Sequence, residues 1–173
     1  RWGGGAVLKV LGVLLLLGGG GALGLSAAAQ LRARTSCLRA LAASLTRMEQ
    51  ELTFRLTNTP ALFALLARDA APPCDSFFQR CLAGLADLGE KSVGEIWRGA
   101  LEESGLPLRQ GERQVLQSLG DVLGRYDGEG QNTALRLART YITRAMEEAE
   151  EEQRRLGRMY SVLGLTSGLF LAL

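Results

Sequence analysis

The chain is apolar at both ends and charged in the middle. Residues 10–29 carry no charge, and neither do residues 161–173. About 20 apolar residues are enough for a helix to cross the ~30 Å hydrocarbon core of a bilayer. The first segment has that length, whereas the second spans only ~20 Å at a rise of about 1.5 Å per residue. The pattern predicts a membrane hairpin that holds one domain against one face of a bilayer.

The chain is therefore expected to have three parts. An N-terminal transmembrane helix is predicted over residues 8–29, a helical domain over residues 30–158, and a C-terminal membrane segment over residues 159–173. Because the last segment is short for a span, either the residues before it enter the membrane interface or the chain is truncated there.

Two glycine pairs in the apolar ends have the spacing of membrane-helix contacts. Gly20 and Gly24 lie four residues apart in the first segment, and Gly164 and Gly168 in the second. Small residues at this spacing allow the backbones of two membrane helices to approach closely. We expect these four glycines to contribute to packing between the two membrane segments.

The charges that flank the apolar ends predict which way the domain faces. Arg1 and Lys9 lie on the far side of the first segment. Seven arginines lie on the domain side: Arg32, Arg34, Arg39, Arg47, Arg154, Arg155 and Arg158. Since excess Lys and Arg mark the cytoplasmic side of a membrane protein, the domain is predicted to face the cytoplasm.

A signal peptide is the alternative interpretation of the N-terminal segment. Arg1 and Lys9 would form its basic region, and the small residues that end at Ala29 would supply the cleavage site. The protein would then be a secreted helical binding protein released after Ala29. The second apolar segment and the helical phase that continues beyond Leu31 favour an uncleaved anchor.

The composition argues against an enzyme. The chain contains no histidine, which removes the usual general base and the commonest metal ligand. Gly128 and Gly130 lack the lysine and the strand of a phosphate-binding loop. The net charge of +2 gives no sign of nucleic-acid binding. We expect no catalytic residues, no cofactor, no metal and no small-molecule substrate.

The three cysteines are odd in number and widely spaced. Cys74 and Cys81 stand seven residues apart, unlike the closely spaced ligand pairs of zinc sites. We interpret Cys37, Cys74 and Cys81 as buried, reduced thiols, as suits a cytoplasmic domain. A disulfide or a metal role remains the alternative.

The residues between the apolar ends predict an all-α fold of about six helices. Apolar residues recur in steps of three and four, and no segment shows the alternation of a strand. One apolar face runs from Leu38 to Leu52, with Leu31 one heptad earlier, and another runs from Leu135 to Leu163. Local signals mark helix ends: Thr59 and Pro60 as a start, Ser92 and Glu95 as a capping box, and Gly105 as a stop.

Several short motifs occur in an order that is typical of a known family. They are Leu8-Lys9-Val10-Leu11-Gly12, Glu49-Gln50-Glu51, Thr59-Pro60, Trp97, Leu119-Gly120, Leu123-Gly124-Arg125 with Asp127 and Gln131, Gly157-Arg158-Met159-Tyr160, Leu163-Gly164 and Gly168. Together they resemble the stage III sporulation protein AB family over essentially the whole chain. Phe54 and Ala61 depart from that family, which tends to have tyrosine and leucine there.

The resemblance implies a place and a role for the chain. It implies a non-catalytic platform subunit in the mother-cell membrane, with a domain similar to the cytoplasmic domains of type II secretion and type IV pilus platform proteins. Such a subunit belongs to the channel between mother cell and forespore. It would connect the other channel subunits to a secretion-type ATPase, stage III sporulation protein AA. A membrane sensor is a further alternative, but no ligand-binding module is recognisable.

Glu49 and Glu51 are the residues that we predict to contact a partner. They lie on an early helix, off its apolar face. Carboxylates in such a position attract a basic surface through steering and ion pairs at the rim of an interface. A solvated helix face is the alternative.

Overall fold

The computed structural model describes residues 4–55, 57–123 and 128–171. Side chains are described for residues 26–55, 57–123 and 129–159, and burial also for Gly12 and Gly24. Six α-helices follow one another: α1 Gly4–Phe54, α2 Thr59–Asp69, α3 Cys74–Gly84, α4 Val93–Glu103, α5 Gln110–Val122 and α6 Gly128–Leu171. A 3₁₀ turn, Leu85–Asp87, follows α3. These ranges contain no β-strand, so the predicted all-α fold is confirmed.

The two long helices α1 and α6 pack against each other in antiparallel directions. Three side-chain contacts succeed one another along the pair: Thr53 with Asn132 at 3.3 Å, Glu49 with Arg139 at 3.0 Å, and Arg39 with Glu150 at 2.6 Å. The residue number rises along α1 as it falls along α6. The start of α1 and the end of α6 therefore lie at the same end of the molecule.

The apolar faces predicted for α1 and α6 form one side of the core. Leu38, Leu41, Leu45 and Met48 of α1 are fully buried, and so are several α6 residues, namely Leu135, Ala138, Ile142 and Ala149. An apolar stripe of this kind stabilises a helix mainly through tertiary packing. Met159 departs from the prediction, because about half of its side-chain surface is exposed.

Helices α2 to α5 close the core around Trp97 of α4. The indole packs edge-on against Phe77, with ring centres 4.8 Å apart, and against Phe78 at 6.2 Å. The ring of Phe63, also at 6.2 Å, is tilted by 30° to the indole. Its Nε1–H donates to the carbonyl oxygen of Leu116 in α5 at 2.8 Å. A buried indole needs such an acceptor. Trp97 thus anchors the core where α4 meets α5.

The helix ends are close to those predicted. Ser92 and Glu95 form the expected capping box, and Gly105, with a φ of 61°, follows α4. The start of α2 differs by one residue: the Asn58 side chain, and not that of Thr59, accepts the backbone N–H of Ala61 at 3.0 Å. Asn is among the strongest N-cap residues, which explains the shift.

The membrane segments predicted over residues 8–29 and 159–173 continue α1 and α6 as helices as far as Leu171. Most of their side chains lie outside the described residues. Within the part of the chain that is described, no helix combines the length and the apolar character that a membrane crossing requires.

Candidate interaction surfaces

Glu49 lies at the boundary between α1 and α6. Its side chain is 22 % exposed, and its Oε2 pairs with Nε of Arg139 at 3.0 Å. Arg139 is itself 38 % exposed. A partly solvated pair of this kind contributes little to stability, about 1 kcal/mol or less. The Glu49 carboxylate is therefore available at a surface, although it already has one cationic neighbour.

Glu51 faces inward, unlike Glu49. Only 4 % of its side chain is exposed, and its Oε1 lies 3.4 Å from both Arg47 Nε and Arg55 Nη1. The hydroxyl of Thr57 donates to Oε2 at 2.9 Å. These contacts tie the last turn of α1 to the segment that leads into α2. The structure thus gives the two predicted glutamates different surroundings.

A groove between α5 and α6 exposes two large side chains. Leu137 is 68 % exposed and Tyr141 44 % exposed, one helical turn apart on α6. With Val115, Leu119 and Ala138 they border a cavity of about 570 Å³. Exposed apolar surface of this kind is typical of sites that contact other molecules. Leu137 and Tyr141 lie off the predicted apolar face, and their i, i+4 spacing was the available sequence signal.

A second cavity, of about 430 Å³, separates α1 from α6 near the predicted membrane boundary. Ala28 and Leu31 border it from α1, and Leu156 from α6. Gly24, one of the four glycines predicted to pack in the membrane, also borders this cavity. The side-chain sites of the other three, Gly20, Gly164 and Gly168, lie outside the described residues.

All three cysteines are buried and unpaired, as predicted. The thiol of Cys74 donates to the carbonyl oxygen of Cys37 at 3.6 Å. The pKa of the Cys74 thiol is raised, chiefly by its hydrogen bond with the Cys37 side chain and secondly by burial. Burial raises the pKa of Cys81 to about 12. Thiols held in the protonated form are poor nucleophiles and poor metal ligands.

Among the described residues, no three His, Cys, Asp or Glu side chains are close enough to hold a metal ion. Some charged side chains instead pair between helices, as in Arg80 with Glu103 at 2.9 Å and Arg109 with Glu152 at 3.1 Å. Exposed pairs of this kind contribute little to stability.

The fold defines an all-helical protein built on an antiparallel pair of long helices. The family model of stage III sporulation protein AB matches residues 9–173, and the chain belongs to that family. The family's name identifies a sporulation protein and names no enzymatic activity.

Two relatives agree with this assignment. The chain is 27 % identical over 169 residues to stage III sporulation protein AB of Bacillus subtilis (strain 168), a match that covers 96 % of this chain and 98 % of the relative. It is also similar to a solved structure of stage III sporulation protein AB, with a TM-score of 0.65 and 27 % identity. That similarity covers 71 % of this chain and 98 % of the solved one.

Proposed function

We propose that the chain is a non-catalytic membrane adaptor of the channel between mother cell and forespore in endospore formation. In this role it couples an ATPase of the stage III sporulation protein AA type to the membrane components of the channel. Membership of the stage III sporulation protein AB family supports the link to sporulation.

The antiparallel pairing of α1 and α6 is the observation that carries the proposal. The contacts Glu49–Arg139 and Arg39–Glu150 bring the two uncharged ends of the chain to the same side of the domain. A hairpin anchor requires this arrangement, because both membrane segments must enter the bilayer from one face. The remaining helices pack beside α1 and α6 on that same face of the bilayer, where a soluble ATPase has access to them.

The distribution of charge supports a cytoplasmic domain in the mother cell. The first acidic residue of the chain is Glu49 and the last is Glu152, so only basic charges lie next to the two uncharged ends. An excess of arginine beside a membrane segment favours the cytoplasmic side. The secreted alternative requires cleavage after Ala29, yet α1 is helical without a break from Gly4 to Phe54.

Capture of the ATPase by the full-length protein in detergent micelles tests the partner. We expect Glu49→Arg to reduce the amount of AA-type ATPase retained on the immobilised protein. A second variant, Glu49→Arg with Arg139→Glu, restores the internal pair while keeping the partner-facing charge altered, so its retention should stay low. Retention equal to that of the unaltered protein in both variants would contradict this contact.

Matched variants separate the possible contact surfaces. Glu148→Arg reverses an exposed glutamate of α6 that has no ion-pair partner among the described residues, so it controls for net charge. Leu137→Glu places a charge in the groove between α5 and α6, so a loss of ATPase retention in this variant would indicate that the ATPase contacts the groove. Glu51 is less suitable for charge reversal, because its buried contacts at the end of α1 would also be lost.

Mass spectrometry of the mature N-terminus tests the alternative of secretion. An intact residue 29–30 bond in protein taken from membranes agrees with the anchor. A mature chain that begins at Gln30 and is found outside the cell would contradict the adaptor proposal.

A further inference from the structure

The cavity between α1 and α6 combines an apolar lining with a basic residue. Ala28, Leu31 and Leu156 provide aliphatic surface, while Gly24 and Gly157 add no side chain that would fill the space. Arg32 borders the same cavity. Its volume of about 430 Å³ is within the range of small-molecule sites in proteins.

Towards the two uncharged ends, the charges on both helices that border this cavity are all positive. Helix α1 has no acidic residue before Glu49, and α6 has none after Glu152. Arg34 pairs with Glu112, while Arg39 and Arg154 share Glu150. These pairs neutralise the arginines that lie further inside the domain.

Three arginines remain without a carboxylate. Arg32, Arg155 and Arg158 are exposed, and none of them has an ion-pair or hydrogen-bond partner among the described residues. Arg155 and Arg158 lie within about one helical turn of Leu156 and Gly157. An anion at this level of the helix pair would meet uncompensated positive charge beside an apolar cavity.

We propose that this cavity and its arginines bind one anionic phospholipid, such as phosphatidylglycerol. Arg32 binds the phosphate, Arg155 and Arg158 add to the local positive potential, and the aliphatic lining receives the upper part of an acyl chain. Basic pockets between helices at the cytoplasmic face of a membrane suit anionic headgroups. The inference rests on the proposed membrane attachment, because that attachment brings the cavity to the level of the headgroups.

Native mass spectrometry of the full-length protein in detergent micelles tests the site. The probes are dioleoylphosphatidylglycerol and dioleoylphosphatidylcholine at equal concentration. We expect a one-to-one adduct with phosphatidylglycerol in clear excess over the phosphatidylcholine adduct. Arg32→Gln should lower the affinity for phosphatidylglycerol about fivefold, the effect expected of one arginine near an anionic lipid surface. Equal adducts with both lipids would overturn the proposal.

Two further variants distinguish this site from general charge attraction. Arg136→Gln with Arg144→Gln removes two exposed arginines of α6 that lie far from the cavity, and it should leave the adduct unchanged. Ala28→Phe fills the cavity while keeping every arginine, and it should reduce the adduct in protein that retains its helical circular dichroism. An adduct lost equally in the distant double variant, or unaffected by Ala28→Phe, would contradict the site.

Inorganic phosphate and vesicle flotation complete the test. Phosphate at the concentration of the lipid should not displace phosphatidylglycerol, because it cannot occupy the apolar lining; displacement would contradict a lipid site. Flotation with vesicles of either lipid tests the anchor separately. If the protein floats with neither kind of vesicle, the membrane attachment is wrong and this inference fails with it. If the protein floats but native mass spectrometry shows no preference for phosphatidylglycerol, the lipid site alone is wrong.

Discussion

The guanidinium of Arg34 in α1 pairs with the carboxylate of Glu112 in the first turn of α5, and both side chains are more than nine-tenths buried. The other carboxylate oxygen of Glu112 accepts the backbone N–H of Arg109 at 2.7 Å. One buried group therefore caps α5 and ties its start to the long helix α1. Nε and Nη1 of Arg34 have no hydrogen-bond partner in the described part of the chain.

Loss of one member of this pair should destabilise the protein strongly. We expect Arg34→Met to lower the free energy of unfolding by about 3–5 kcal/mol, because the charge of Glu112 stays buried without its partner. Arg34→Met combined with Glu112→Gln removes both charges while keeping a side-chain acceptor for the α5 cap. The double variant should lose clearly less than the two single losses added together. Urea titration followed by circular dichroism measures each value, and strictly additive losses would contradict the pairing.

A matched pair of glycines tests the packing around Trp97. A Cβ atom at Gly120 would lie 2.3 Å from Cδ1 of Trp97, whereas one at Gly99 would meet nothing within 4 Å. Gly120→Ala should therefore lower stability by about 1–3 kcal/mol through overpacking. Gly99→Ala, in the middle of α4, should raise it by about 0.5–1 kcal/mol. Thermal melts compare the two variants. A stabilising effect of Gly120→Ala would show that the α4–α5 packing is wrong.

The architecture was largely predictable from the sequence because helices carry their burial pattern locally. The spacing of Leu38, Leu41 and Leu45 predicts one buried face of α1, and all three side chains are fully buried. The capping box of Ser92 and Glu95 depends on residues three positions apart, so it was predictable too. The predicted hairpin already implies that α1 and α6 run in antiparallel directions. Which residues meet along the two helices depends on contacts between distant positions, which no local pattern contains.

The surroundings of the charged residues also depend on contacts between distant residues, so the sequence did not predict them. Arg34 and Glu112 are 78 residues apart in sequence. Glu51 lies off the apolar face of α1, yet Arg47, Arg55 and Thr57 enclose it, because the chain turns back directly after the helix. Both glutamates lie off the apolar face of α1, so the sequence pattern did not show that Glu51 is buried and Glu49 more exposed.

The two glutamates should differ in their effect on stability. Glu51→Gln removes the charge from a buried group with two cationic neighbours, and we expect a loss of about 1–3 kcal/mol. Glu49→Gln weakens a partly solvated pair and should change stability by less than about 1 kcal/mol. Urea unfolding of both variants checks the order. A larger loss for Glu49→Gln would contradict the placement of Glu51 in the structure.

Stability at alkaline pH should report the burial of Cys81. Burial raises the pKa of its thiol to about 12 in the folded protein, while an unfolded thiol ionises near 8.5. Above about pH 8.5 the unfolded chain releases this proton and the folded chain keeps it, so stability falls as pH rises.

The contribution of Cys81 can be isolated by substitution. Its thiol should lower the free energy of unfolding by at most about 1.4 kcal/mol per pH unit between about pH 9 and 11. Over the same pH interval, the free energy of unfolding should fall less in the Cys81→Ala variant than in the unaltered chain, because the variant lacks this thiol. The comparison does not depend on the stability of either protein at neutral pH. Parallel curves for the two proteins would mean that the thiol is not buried as described.

Labelling of a single introduced cysteine tests most directly whether the domain faces the cytoplasm, as the adaptor account requires. Ser118→Cys places a thiol on the exposed face of α5, and the unaltered chain, whose three thiols are buried, serves as the control. We expect a membrane-impermeant maleimide to leave Ser118→Cys unlabelled in intact cells and to label it after the membrane is permeabilised. Labelling in intact cells would place the domain outside the cytoplasm and contradict the adaptor account.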